Sequence, residues 1–217
     1  MADIQIRGGY VRMMTKIKLC GMRREEDIRA VNEIRPDYIG FICSSRFWRY
    51  IPMEKAAALK AMLDPGIKAV GVFVDEPAET IMEYLKNGVI DMVQLHGGES
   101  EEYIGGLRKA MREEDLEVPV IRAFRIKSGE DIARAKASSA DYILLDSGQG
   151  SGETFDWTMI RDIGRDFFLA GGLNAGNVRK AIDQYHPFAV DISSGVETDR
   201  LKDPEKMRRT CEEVRRK

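Results

Sequence analysis

The feature that most constrains this chain is a repeat of pattern rather than of wording. From Lys16 onward, a short β-rich apolar run is followed by a helical stretch, and the pair recurs eight times, at intervals of roughly 24 residues. The apolar runs open at Lys16, Tyr38, Lys68, Val93, Pro119, Tyr142, Phe167 and Ala189. Helices are predicted from Arg24, Met53, Pro77, Ser100, Ser128, about Asp156, Asn174 and Asp203. Runs such as Val70-Gly71-Val72-Phe73-Val74 and Tyr142-Ile143-Leu144-Leu145 are apolar without alternation, as strands become when both faces are buried. Eight such units without a Pro/Gly-rich linker predict an α/β fold of one domain, a single closed (β/α)8 barrel over residues 14–217. A doubly wound open sheet is the runner-up, but such sheets more often have five or six strands. Residues 1–13 are polar and out of pattern. They read as an N-terminal extension expected to be poorly ordered, with Met14 as an alternative start.

Composition removes several function classes. With 34 basic against 36 acidic residues, the formal net charge is -2, so no electrostatic case exists for nucleic acid or an anionic membrane, and anion recognition must be local. No apolar run approaches the roughly 18 residues of a membrane span, and no signal-peptide h-region opens the chain. Cys20, Cys43 and Cys211 are odd in number and widely spaced, with no CxxC or Cys/His cluster; a reduced, cytoplasmic protein without a bound metal is expected.

In a barrel of this type, chemistry gathers at the C-terminal ends of the strands. Those positions hold Cys20, the loop from Cys43 to Tyr50, Asp75, His96, Arg125, Asp146, Gly171-Gly172 and Asp191 to Gly195. Two successive strand ends finish on small residues, Ala170-Gly171-Gly172 and Ile192-Ser193-Ser194-Gly195, where backbone N–H groups can approach an anion. The late βα loops of such barrels commonly hold a phosphate. Cys20 can be read as a buried small hydrophobe or as a reactive thiol. Asp146 ends an apolar run and is either a salt-bridge partner or a working carboxyl group. Together they suit proton shuttling on a phosphorylated small molecule.

Other chemistries have less to stand on. A Ser-His-Asp triad has only His96 and His186 to draw on, and His186, before Pro187 on the opposite face, is given no role. A Cys20–His96 nucleophilic pair lacks a supporting motif. Gly148-Gln149-Gly150-Ser151-Gly152 does not have dinucleotide-loop spacing and reads as a mobile active-site loop. Arg46 and Arg49 could each match a carboxylate, with neighbouring aromatics able to stack on a planar ligand.

These residues resemble the phosphoribosylanthranilate isomerase family of tryptophan biosynthesis. The resemblance runs from Lys16 to the C-terminus. It is carried by Lys18-Leu19-Cys20-Gly21-Met22, Gly40-Phe41-Ile42, Arg49-Tyr50-Ile51, Val70-Gly71-Val72-Phe73, Gln94-Leu95-His96-Gly97, Gly150-Ser151-Gly152-Glu153-Thr154-Phe155-Asp156-Trp157, Ala170-Gly171-Gly172-Leu173 with Asn177-Val178, and Asp191-Ile192-Ser193-Ser194-Gly195-Val196-Glu197. The resemblance implies an Amadori rearrangement of N-(5-phosphoribosyl)anthranilate. In it Asp146 is the general acid on the furanose ring oxygen, and Cys20 is the general base at C2. It also implies Arg49, rather than Arg46, on the anthranilate carboxylate, Asp191 near the amine, and His96 lining the substrate pocket. Gly171, Gly172, Ser193, Ser194 and Gly195 would hold the phosphate. No cofactor is implied, and the partner is the small phosphosugar-anthranilate substrate, on a monomer or homodimer. Phe47-Trp48 departs from the family, where a small or basic residue is usual before the arginine.

Two other readings differ in class. One is a phosphate-binding barrel acting on a different aminosugar phosphate; the lack of a lysine at the strand ends best suited to catalysis argues against indole-glycerol-phosphate synthase chemistry. The other is a non-catalytic ligand-binding barrel, disfavoured by the presence of both Cys20 and Asp146.

Overall fold

The computed structural model describes residues 14–146, 160 and 163–216, together with the backbone of two short strands, Gln5–Arg7 and Tyr10–Arg12, which pair antiparallel. The eight predicted strands are all present: β1 Lys16–Cys20, β2 Tyr38–Ile42, β3 Lys68–Phe73, β4 Met92–Leu95, β5 Val120–Arg125, β6 Tyr142–Asp146, β7 Phe167–Ala170 and β8 Ala189–Ile192. Each pairs in parallel with the next, and β8 pairs with β1, so the sheet closes into a barrel and not into the doubly wound alternative. Among the described residues, α1 Glu25–Ile34, α2 Met53–Ala61, α3 Ala78–Lys86, α4 Glu101–Glu113, α5 Gly129–Ala137, α6 Val178–Tyr185 and α7 Pro204–Arg215 follow strands. The loop Gly148–Gly152 and the helix predicted from about Asp156 lie outside the described residues.

The unalternating strands have two cores to fill. Along β6, Leu144 points into the barrel with Tyr38, Val70, Met92, Ile121 and Phe168, while Ile143 and Leu145 join the layer between sheet and helices. Consecutive strand residues face opposite sides, so two apolar environments demand a continuous run. The helices meet the outer layer with one stripe each, such as Ile28, Val31 and Ile34 of α1 or Ile104, Leu107 and Met111 of α4. Near the N-terminal ends of the strands the interior is plugged by aromatics: Tyr142 stacks on Phe188 at 4.8 Å and meets Phe168 edge-on at 5.7 Å.

Polar side chains finish the ends. Asp37, Asp91 and Asp141, each just ahead of an even-numbered strand, accept the N–H of Ile17, Ala69 and Val120 on the preceding odd-numbered strand, at 2.7–2.8 Å. The device recurs three times and satisfies strand-start donors that the ladder leaves over. Ser100 caps α4 by accepting the Tyr103 N–H, and Asp203 caps α7 through Glu205 and Lys206. One boundary differs from expectation. Asn174 does not open a helix; residues 174–177 form a turn in which Asn177 accepts the Asn174 N–H at 2.8 Å, and α6 begins at Val178. The asparagine side chains bond locally and delay the helix by four residues.

Phe168 is fully buried at the centre of the interior plug. Truncation by Phe168→Ala is expected to destabilise the barrel by about 3–5 kcal/mol, read as a lowered urea midpoint at unchanged slope. A loss below about 1 kcal/mol would show that the interior plug is not what holds the barrel.

Candidate active site

The C-terminal ends of the strands enclose a cavity of about 640 Å³. All ten residues singled out from the sequence line it: Cys20 from β1, Arg49 from the loop after β2, His96 after β4, Asp146 from β6, Gly171 and Gly172 after β7, and Asp191, Ser193, Ser194 and Gly195 from β8 and its loop. Arg125 and Phe47 join them, whereas Asp75 turns aside to accept the Gly98 N–H and to face Arg46. His186 ends α6 in a left-handed conformation with φ 48°, away from the cavity.

Cys20 sits where β1 leaves the barrel, 6% exposed. Its sulfur lies against Gly40 of β2, where a Cβ would stand 2.6 Å from Sγ, so a side chain at position 40 would displace the thiol. Burial pushes the thiol above its ordinary value; Lys18 and Lys202 pull it back, and Asp191 pushes it further up. Asp146 lies on β6 in the same cavity, and His96 Nε2 is 3.9 Å from its carboxylate. Burial holds His96 below its ordinary value against the pull of Asp146 and Asp191, so the imidazole is neutral near pH 7. Gln94 fixes it from beneath, its amide 2.8 Å from His96 Nδ1.

Arg49 is already engaged. Its Nε and Nη2 donate to the Glu197 carboxylate at 2.9 and 2.8 Å, and the guanidinium lies 4.2 Å from the Trp48 ring centroid. The aromatic that departs from the family pattern thus braces the arginine from one face, with Arg23 and Arg200 also at its ring. Arg46 instead bonds the Val74 carbonyl. The small-residue ends face each other. Gly171 and Gly172 take φ of 102° and 65°, and a Cβ at Gly195 would overlap the Leu173 carbonyl oxygen. Asn174 and Asn177 both donate to the Gly172 carbonyl, and Ser193 Oγ donates to the Cys20 carbonyl.

Four polar groups around the cavity receive no role from the sequence: Lys18, Gln94, Glu197 and Lys202. Lys18 and Gln94 are buried, each two residues before a predicted site residue, Cys20 and His96, on the same strand face. That parity is the signal by which they could have been found. Glu197 bridges Arg49 and Lys202, and Lys202 also donates to the Ser193 carbonyl at 2.9 Å. No group of three His, Cys, Asp or Glu side chains able to hold a metal ion occurs among the described residues, and no helix there is long and apolar enough to cross a membrane.

The comparisons with known proteins agree on one family. The family model described as N-(5'phosphoribosyl)anthranilate (PRA) isomerase matches residues 17–213. The chain is similar to an N-(5'-phosphoribosyl)anthranilate isomerase from Endomicrobium trichonymphae, 41% identical over 93% of this chain and 99% of that one. Among solved structures it is similar to phosphoribosyl anthranilate isomerase from Thermotoga maritima, with TM-score 0.82 and 36% identity, covering 93% of this chain and 99% of that one. A phosphoribosyl anthranilate isomerase in complex with reduced 1-(o-carboxyphenylamino)-1-deoxyribulose 5-phosphate is also similar, with TM-score 0.79, 36% identity and the same coverage.

Burial opposes ionisation of Glu197, but hydrogen bonds from Arg49 and Lys202 prevail and hold it below the usual carboxylate range. A depressed folded value means that its contribution to stability is complete above the unfolded pKa of about 4.3 and is lost as pH falls through the folded value. Glu197→Gln is therefore expected to cost about 2 kcal/mol at pH 7 in urea unfolding, with the gap to the parent shrinking below about pH 4. A gap that stays constant down to pH 3 would contradict this assignment.

Proposed function

The chain belongs to the N-(5'-phosphoribosyl)anthranilate isomerase family, and from that membership we propose the reaction and its working parts. The substrate is N-(5-phosphoribosyl)anthranilate and the product 1-(2-carboxyphenylamino)-1-deoxyribulose 5-phosphate, an aldose-to-ketose isomerisation in tryptophan biosynthesis. The observation that carries the reading is the placement of a thiol, Cys20, and a carboxyl group, Asp146, on opposite sides of one cavity whose rim also presents the glycine and serine ends of β7 and β8.

The chemistry asks for two proton-transfer groups. Opening the furanose requires an acid on the departing ring oxygen, the role given to Asp146. The resulting Schiff base draws electrons from the C2–H bond as a base takes that proton, the role given to Cys20. The electron pair moves toward the substrate's own nitrogen, so no cofactor is required. The enol then shifts its proton to C1 and leaves the ketone at C2. One group could not conveniently serve both steps, because acid and base act at different atoms on different sides of the sugar.

The remaining residues position the substrate. Backbone N–H groups at Gly171, Gly172, Ser193, Ser194 and Gly195 suit the phosphate, and gripping it far from C1 and C2 aligns the reacting carbons. Arg49 spends Nε and Nη2 on Glu197, which leaves its Nη1 edge to meet the anthranilate carboxylate. Asp191 lies below the amine position, and neutral His96 can offer a hydrogen bond near the ring oxygen. The catalytic unit is residues 14–217, with 1–13 an extension, acting in the cytoplasm as a monomer or homodimer.

Turnover of phosphoribosylanthranilate decides the assignment. Cys20→Ser and Asp146→Asn are each expected to lower kcat by about 10²–10⁴ with KM little changed. Arg49→Met should mainly raise KM. Full activity in both of the first two variants would sink the mechanism, and a parent that binds phosphate without turnover would favour a non-catalytic barrel.

A further inference from the structure

Beneath the cavity lies a buried charged group that proton transfer and substrate binding leave without a role. Lys18 has no exposed surface and lies on the inward face of β1, two residues below Cys20. Its Nζ is 2.9 Å from both carboxylate oxygens of Asp191, its register partner on β8. Beneath it the interior is apolar, with Val70, Ile121, Leu144 and Phe168. Burying an ammonium there costs several kcal/mol, and two well-packed apolar side chains would join β1 to β8 at no such cost. A lysine adds something that they cannot. An ammonium has three N–H donors; Lys18 turns its Nζ to Asp191, and Cys20, two residues further along β1, shares its inward face.

We propose that Lys18 is a positioning residue for the proton-abstraction step: anchored on Asp191, its ammonium stands beneath Cys20 and stabilises the thiolate. The proposal rests on the reading of Cys20 as the base. A thiol with an ordinary pKa of about 8.5 is little ionised at neutral pH, and burial makes that worse. Of the cations near it, Lys18 exerts the larger downward pull and Lys202 the smaller. Lys202 divides its ammonium between the Ser193 carbonyl and Glu197, which is itself paired with Arg49. Asp191 opposes ionisation from β8; His96 and Asp146 face the cavity from the β4 and β6 sides; β2 places Gly40 beside the sulfur, and the Cys43 thiol follows that strand. Lys18, on the inward face of β1 two residues below the thiol, is thus the cation best placed to stabilise the thiolate.

The test is the pH dependence of Cys20 alkylation by iodoacetamide on the full chain without substrate, followed by mass spectrometry of the Cys20 peptide. Reading the Cys20 peptide by mass separates its signal from those of Cys43 and Cys211, whose thiols burial pushes up to about 12. Lys18→Met is expected to raise the midpoint by about one unit or more, slowing alkylation roughly tenfold at pH 8. Asp191→Asn, which frees the ammonium from its counter-charge, is expected to lower it. If Lys18→Met does not fold, the double variant Lys18→Met/Asp191→Asn leaves no unpaired buried charge, and its midpoint should lie above that of Asp191→Asn alone. Unmoved midpoints, or shifts in the same direction for the two single variants, would overturn the proposal and leave Lys18 as a strand staple. The acidic limb of kcat/KM, where activity rises as the base loses its proton, should follow the alkylation midpoint. An alkylation shift without a kinetic one would instead refute Cys20 as the base while leaving its stabilisation by Lys18 intact.

Discussion

The seam between β8 and β1 is the constraint on which the rest depends. Eight parallel strands satisfy their backbone donors and acceptors only if the last pairs with the first, and here Ala189 to Ile192 pair with Lys16 to Leu19. The seam carries a buried ion pair, Lys18 on Asp191, at directly matched register. It brings the start and the end of the chain into one wall. Cys20 then stands beside Ser193, whose hydroxyl bonds the Cys20 carbonyl across 173 residues of sequence.

Closure also separates stability from chemistry along the barrel axis. One end is packed with Tyr38, Tyr142, Phe168 and Phe188, and finished by aspartates that occupy strand-start donors. At the other end some strands change from apolar to polar within two to four residues: Met92 gives way to Gln94 and His96, and Leu144 to Asp146. The inward parity is kept throughout, so the polar groups converge on the cavity and are held by strands, which are stiffer supports than loops. The loops contribute Arg49, and it is held by Glu197 on one edge and Trp48 on one face.

The eight-strand pattern and the strand-end positions were legible from periodicity because each strand meets two apolar layers. Cys20, His96 and Asp146 were found from their position at the C-terminal ends of those strands. The family resemblance supplied their implied roles and separated Arg49 from Arg46, a distinction that spacing within the loop did not make. Lys18 and Gln94 lie within the stretches that carry the resemblance and match in parity, yet were given no role, since a lysine or glutamine inside a strand shows its use only through its partner. The start of α6 was misplaced because Asn174 looks like a helix cap, yet its backbone N–H bonds Asn177 and its side chain bonds Gly172.

What the sequence determined by itself is the number of units, their order, the inward parity of each strand and hence the set of side chains that face the cavity, because alternation and continuous apolar burial are local and periodic. What only the tertiary structure decided is who partners whom. That Asp191 takes Lys18, that Glu197 takes Arg49 and Lys202, and that Gln94 holds His96 depend on distances and angles across strands. Electrostatic interaction and hydrogen bonding fall away within a few ångströms, and no spacing along the chain encodes such a separation.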